Sequence, residues 1–298
     1  MATALGGCSA LDAINVATPN ADVIARDVEY SSNNDQRLDV YGPKNATLTA
    51  DRAPVIVFLH GGGWRSGSRR EYRFVASGLA KNGYLVVVPD MRKHPEVRFP
   101  DFVNDAADAV NWSLRNAERF GGDPERLFLM GHSSGAHIAA LLHYDARYLQ
   151  RADGTPNQAC GFIGLAGPYD FLPLVSPRLQ DMFPEELRDD SQPVNFVTGA
   201  EPPALLIHGL KDKTVKPRNS AELQKRIEAA GGSADLLIYE NNRHASLVLA
   251  LSPSMKFLAP VLDDVQEFID AQSCGGLSPT ARTQTTRGQR NHRRQKHP

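Results

Sequence analysis

The chain has few cysteines, and their placement excludes much. Cys8, Cys160 and Cys274 form no even framework, and none stands at a spacing that holds a metal ion. On this reading nothing depends on a disulfide or an oxidising compartment. No apolar run is long enough to cross a bilayer, and no internal repeat is visible. Neither sign of charge dominates, because the formal net charge is −1 in 298 residues. What charge asymmetry exists is local: Arg282, Arg287, Arg290, Arg293, Arg294 and Lys296 follow Thr280 with no acid among them, which leaves the remainder acidic. An acidic body is a poor nucleic-acid surface, so a nucleic-acid partner is excluded. Hydrophobic residues at 41% and charged residues at 22% suit a folded domain with a sizeable core.

The two ends read as accessory. Leu5-Gly6-Gly7-Cys8-Ser9 is similar to the end of a bacterial lipoprotein signal, without the charged and apolar regions that precede one. If Cys8 is lipidated, residues 1–22 form a flexible membrane tether and the protein belongs to the cell envelope; otherwise a cytoplasmic location is expected. From residue 275 to 298 the chain is polar and basic, and is expected to be a disordered tail.

Between these ends, strands and helices alternate. Val23–Tyr30 and Arg37–Tyr41 alternate apolar and polar residues around a polar loop, as a β-hairpin does. Pro54–Leu59 is wholly apolar, the composition of a strand buried on both faces of a parallel sheet. Further strands are predicted at Tyr84–Val88, from Leu127, at Phe162–Ala166, at Leu205–His208 and at Leu236–Tyr239. Helices are predicted over 71–81, 101–120, 134–144, 217–230 and 255–271. The fold class is therefore α/β: a doubly wound, mostly parallel eight-stranded sheet with an antiparallel N-terminal edge hairpin. One catalytic domain spans 23–274, with a small Pro-rich cap insertion at about 167–203.

The sequence centres on Leu127–Leu142, where an apolar strand run passes through Gly131-His132-Ser133-Ser134-Gly135 into a helical pattern. A serine in G-x-S-x-G between strand and helix is the signature of a nucleophile elbow. Such a serine needs a base, and a histidine oriented by a carboxylate is the usual one. On this kind of sheet the order is serine, acid, histidine, and the site lies at the carboxyl ends of the strands. His244, in the polar loop after the last strand, fits the base, and Asp212, after the seventh strand, fits the acid. Asp170 and Glu240 are weaker rivals, and Asp235 lies at the wrong end of its strand. His137 and His143 fall on the helix after the elbow, and His208 precedes the acid. His60-Gly61-Gly62-Gly63 follows the third strand, where glycine amides can form an oxyanion hole; the amides of Gly62, Gly63 and Ser134 are the candidates. No Gly-Lys-Ser/Thr follows these glycines, so they are not a phosphate cradle.

With these motifs, and with Phe120-Gly121-Gly122-Asp123-Pro124 ahead of the elbow strand, the chain resembles the α/β-hydrolase superfamily over about residues 55–244. The closest likeness is to its serine carboxylesterase branch, which includes feruloyl-esterase-like, arylformamidase-like and isoprenylcysteine-methylesterase-like proteins. His132 and Ser134 stand where the hormone-sensitive-lipase branch has Asp and Ala. The resemblance implies hydrolysis of a small-molecule ester with no metal or organic cofactor. An arylformamidase or amidase would use the same three residues, and a non-catalytic binding module of this fold usually lacks one of them. Trp64 and Phe171 are expected to line a small acyl pocket. Prolines recur through 167–203, which excludes a long amphipathic lid helix there.

Overall fold

The computed structural model describes residues 14, 15, 18, 22–31, 36–43, 52–150 and 158–274. Its strands are β1 (Val23–Glu29), β2 (Arg37–Tyr41), β3 (Ala53–Leu59), β4 (Leu85–Pro89), β5 (Gly122–His132), β6 (Gly161–Leu165), β7 (Ala204–Gly209) and β8 (Ala234–Tyr239). Its helices are α1 (Arg73–Ala80), α2 (Asp101–Asn116), α3 (Ser134–Tyr144), α4 (Pro177–Met182), α5 (Arg218–Ala229), α6 (His244–Leu249) and α7 (Val261–Ala271). The strands form one sheet in the order β1-β2-β4-β3-β5-β6-β7-β8. Pairing is antiparallel in β1–β2 and β2–β4 and parallel from β4 onward.

Strand residues point alternately to opposite faces, and each face has its own core. Val55, Val57, Leu59, Leu127 and Leu129 pack with Phe102 and Val110 of α2 and Leu141 of α3. Ile56, Phe58, Phe128 and Met130 face the other way, onto Phe74 of α1 and Val265 and Ile269 of α7. Continuous apolar strands are thus buried on both faces, as the α/β-hydrolase reading requires. The parallel strands end together, so the loops after β3, β5, β7 and β8 share one rim.

Several expectations need correction. The last helix does not run from Met255. Pro260 cannot donate within a helix, so α7 starts at Val261, and Lys256–Leu258 forms only a 3-10 turn. The loop after β8 is not all loop, because His244 opens α6. The cysteine reading is also overturned: Cys160 and Cys274 form a disulfide across a sequence separation of 114, tying the end of α7 to the start of β6. The count of three concealed this pair, since spacing in sequence says nothing about which strand and helix ends meet. The described part of the stretch read as a flexible start is packed. Asn15 is buried, its Oδ1 accepts the Phe74 amide at 3.1 Å, and its Nδ2 donates to Glu71 O at 2.7 Å. Cys8 and the basic tail lie outside the described residues. The insertion 167–203 holds the six-residue α4 and three short 3-10 turns, and no longer helix.

Candidate active site

Ser133 stands between β5 and α3 with φ 55° and ψ −123°, a conformation costly for a non-glycine residue. Its amide donates to Leu165 O at 2.9 Å, which fixes the turn against β6. The flanking glycines are needed for close approach. A Cβ on Gly131 would run into the Gly135 carbonyl, and one on Gly135 into the Leu59 carbonyl.

The loops after β7 and β8 are joined by backbone bonds from Leu210 to Tyr239 and from Lys211 to Asn242. This brings Asp212 and His244 together and up to Ser133. His244 Nδ1–H donates to Asp212 Oδ2 at 2.7 Å, and His244 Nε2 lies 2.9 Å from Ser133 Oγ. Since the carboxylate can only accept, Nε2 is the unprotonated nitrogen and accepts the serine hydroxyl. Asp212 Oδ1 accepts the amides of Thr214 and Val215 at 2.8 and 3.0 Å. Burial opposes its charge, but hydrogen bonds from the two neighbouring histidines and from backbone outweigh this and hold the carboxyl well below its usual range. Asp170 and Glu240 are not bonded to His244.

Two further histidines adjoin this chain. His208 is fully buried, with Nε2 3.4 Å from Asp212 Oδ2. Its Nε2–H donates to Val215 O at 2.9 Å, and Nδ1 accepts the Ser220 hydroxyl at 2.8 Å. His132 Nε2–H donates to the His244 carbonyl at 3.1 Å, and the two rings lie 4.9 Å apart. Burial, helped by His244, pushes the His132 pKa down to about 3, so this neighbour stays neutral. Chain order sets His208 aside as a base, and it gives no sign of this contact. For His132 the only sequence signal is its place beside the serine.

The loop after β3 is held by its own bonds. Gly62 O accepts the amides of Arg65 and Ser66 at 3.2 and 3.1 Å and the Ser66 hydroxyl at 3.0 Å. Gly62 has φ +138°, and a Cβ there would strike the Ser66 carbonyl, so only glycine fits. The amides of Gly62, Gly63 and Ser134 donate to no protein acceptor among the described residues, and Ser134 opens the N-terminal turn of α3, where amides lack helical partners. His60, at the base of the loop, lies 3.6 Å from Asp90, whose carboxyl burial alone would raise; His60 and Arg69 outweigh that and hold it at about 2. Trp64 and Phe171 meet with ring centroids 6.0 Å apart, and Phe183 packs on both.

A cavity of about 480 Å³ opens elsewhere, lined by Arg37, Arg69, Arg70, Arg92 and Lys93 with Asp27, Asp90 and Glu96. Arg69 pairs with Asp27, Asp39 and Asp90, and Arg92 with Asp105, so much of its charge is already engaged. It contains none of the Ser133–His244–Asp212 chain, and size alone does not make it the site. Among the described residues no group of three or more His, Cys, Asp or Glu is arranged to hold a metal ion.

A strained serine at a strand–helix elbow, bonded to a histidine that is bonded in turn to a carboxylate, both from later strand ends, on a doubly wound sheet with an antiparallel edge, defines the α/β-hydrolase class. Within that class the particular family follows from sequence: the BD-FAE family model matches residues 38–227, and the chain belongs to that family. It is 29% identical to isoprenylcysteine alpha-carbonyl methylesterase ICME of Arabidopsis thaliana, over 86% of this chain and 64% of that protein. It is 31% identical to esterase LipC of Mycobacterium tuberculosis, over 70% of this chain and 56% of that protein. The chain thus spans between about half and two thirds of the length of these curated relatives. The apo structure of Thermogutta terrifontis esterase 2 superposes with a TM-score of 0.70 at 25% identity, covering 85% of this chain and 95% of that one. The same esterase is known with butyrate bound, at a TM-score of 0.68.

Proposed function

We propose that this chain is a serine carboxylesterase that cleaves esters of short acyl chains through an acyl-enzyme. The observation that carries the reading is the bonded series Ser133 Oγ–His244–Asp212. Ser133 attacks the ester carbonyl as His244 Nε2 takes its proton, and Asp212 holds the imidazole in the tautomer that can accept it. The negative charge that develops on the carbonyl oxygen is met by the amides of Gly62, Gly63 and Ser134, which have no protein acceptor to give up. His244 then protonates the leaving alcohol, and activates a water that releases the acid from Ser133. Esterase activity in the relatives' names favours ester over formamide, and butyrate in the neighbouring esterase supports a short acyl group.

The test is covalent. An alkyl fluorophosphonate should label the protein once, lose all reaction in Ser133→Ala, and map by peptide mass to Ser133. Stoichiometric labelling at any other residue overturns the assignment.

A further inference from the structure

One buried histidine beside this site has no part in the chemistry just described. His137 lies four residues after Ser133, on the same face of α3 and one turn along it. It has no exposed surface. Its Nδ1 is 3.2 Å from the indole Nε1 of Trp64, and its Nε2 is 2.7 Å from Ser191 O. The indole can only donate and the carbonyl can only accept, so the ring is neutral with its proton on Nε2. Burial agrees, pushing the pKa of His137 down to about 4.

The groups joined in this way are the walls of the expected acyl pocket. Trp64 follows the glycine loop with φ +58°, a left-handed conformation that a bulky residue keeps only when its surroundings enforce it. The His137 ring meets Trp64 and Phe171 edge-on, at centroid distances of 5.3 and 5.4 Å. The amide of Phe171 donates to Gln192 Oε1 at 2.8 Å, and Gln192 Nε2 donates to Ser191 Oγ at 2.8 Å. Both aromatic walls are therefore tied to the same turn of the cap, one through His137 and one through Gln192.

We propose that His137 is a specificity-determining positioning residue, which fixes the Trp64 indole to the cap backbone at Ser191 and so sets a rigid end wall that limits acyl length. The proposal rests on the reading of Ser133 as the nucleophile of an esterase. An indole held to the cap backbone through His137, packed on a Phe171 whose backbone is tied to the same turn, cannot swing aside to admit further methylenes. A cap whose walls could rotate would admit them.

The experiment compares p-nitrophenyl acetate and octanoate in wild type, His137→Leu, His137→Gln and Trp64→Phe, with folding checked by circular dichroism. His137→Leu keeps the volume and removes both bonds. It should raise the octanoate-to-acetate ratio of kcat/KM about tenfold or more, with the gain in the KM for octanoate. His137→Gln, whose amide can both accept and donate, should return the ratio toward wild type. Trp64→Phe removes the indole N–H while leaving His137 in place, and should shift the ratio in the same direction as His137→Leu. If His137→Leu does not fold, the Trp64→Phe ratio decides. A ratio that does not move in folded His137→Leu or Trp64→Phe, or acetate and octanoate falling in parallel, overturns the proposal. Failure of the underlying reading looks different: Ser133→Ala would then still hydrolyse both esters.

Discussion

Ser133, Asp212 and His244 follow three separate strands, and in the proposed reaction the serine acts through Oγ, the histidine through both ring nitrogens and Asp212 through its carboxylate. Removing the Ser133 hydroxyl should lower kcat by about 10⁶, as loss of an activated serine does elsewhere. Retention of more than about a hundredth of the activity in purified Ser133→Ala would point to another nucleophile. Asp212→Asn tests a subtler matter. An amide placed at Asp212 can present an N–H to His244 Nδ1, which favours the tautomer with its proton on Nε2, the wrong one for a base. The expected loss is about 10⁴ in kcat, with fold and KM largely kept. Should Asp212→Asn remain near wild type while Asp170→Asn or Glu240→Gln is inactive, the acid lies elsewhere.

At the scale of elements, the disulfide is the most testable feature. Cys160 precedes β6 and Cys274 follows α7, and near them Phe268 of α7 packs on Phe128 of β5 at 6.4 Å. The bond therefore fastens one helix of the second layer to the middle of the sheet. Closing a loop of about a hundred residues removes unfolded-state entropy worth about 4.7 kcal/mol in the chain-entropy model, and measured losses for native disulfides are about 2–5 kcal/mol. Cys274→Ser should lower unfolding stability within that range, and reductant should do the same to wild type without affecting Cys274→Ser. Denaturant curves with and without reductant will show this. Coincident curves for wild type under both conditions would mean that the bond does not contribute.

At the scale of the whole molecule, three neutral histidines, His132 and His137 buried and His143 half-buried, make stability depend on pH. Burial pushes His132 down to about 3 and both His137 and His143 to about 4, whereas in the unfolded chain each titrates near 6.5. Below that pH the unfolded chain binds protons that the folded one cannot take up. Their contribution is therefore complete above about pH 6.5 and is lost as pH falls toward 4, each group by up to about 1.4 kcal/mol per unit. Melting temperatures measured from pH 7 to 4.5 should fall steadily, and His143→Gln should flatten the fall. A level profile in wild type would contradict the burial of these rings. The insertion 167–203, read as a cap, also bears on this scale. It lacks a long helix with an apolar face that could open onto oil, so activity on p-nitrophenyl esters should peak between acetate and butyrate and decline by octanoate. No jump is expected at the solubility limit of the substrate. A maximum at dodecanoate or longer would contradict a walled pocket.

The sequence by itself determined the sheet and the elbow, and it pointed to Ser133, Asp212 and His244, which the structure joins in one bonded series. Those features are local: apolar runs such as Val55–Leu59 can be buried only on both faces, and the glycines around Ser133 admit one kind of turn. Helix ends were legible where a glycine or asparagine follows, as at Asn82-Gly83, and misread at Pro260, where pattern was followed past a residue that cannot donate. The tertiary structure alone decided which distant groups meet. His208 beside Asp212, His132 against His244, His137 between Trp64 and Ser191, and Cys160 against Cys274 are contacts between elements whose separation along the chain carries no distance information. Parallel strands reached by crossovers bring together residues about a hundred positions apart, and only the packed sheet fixes which of them touch.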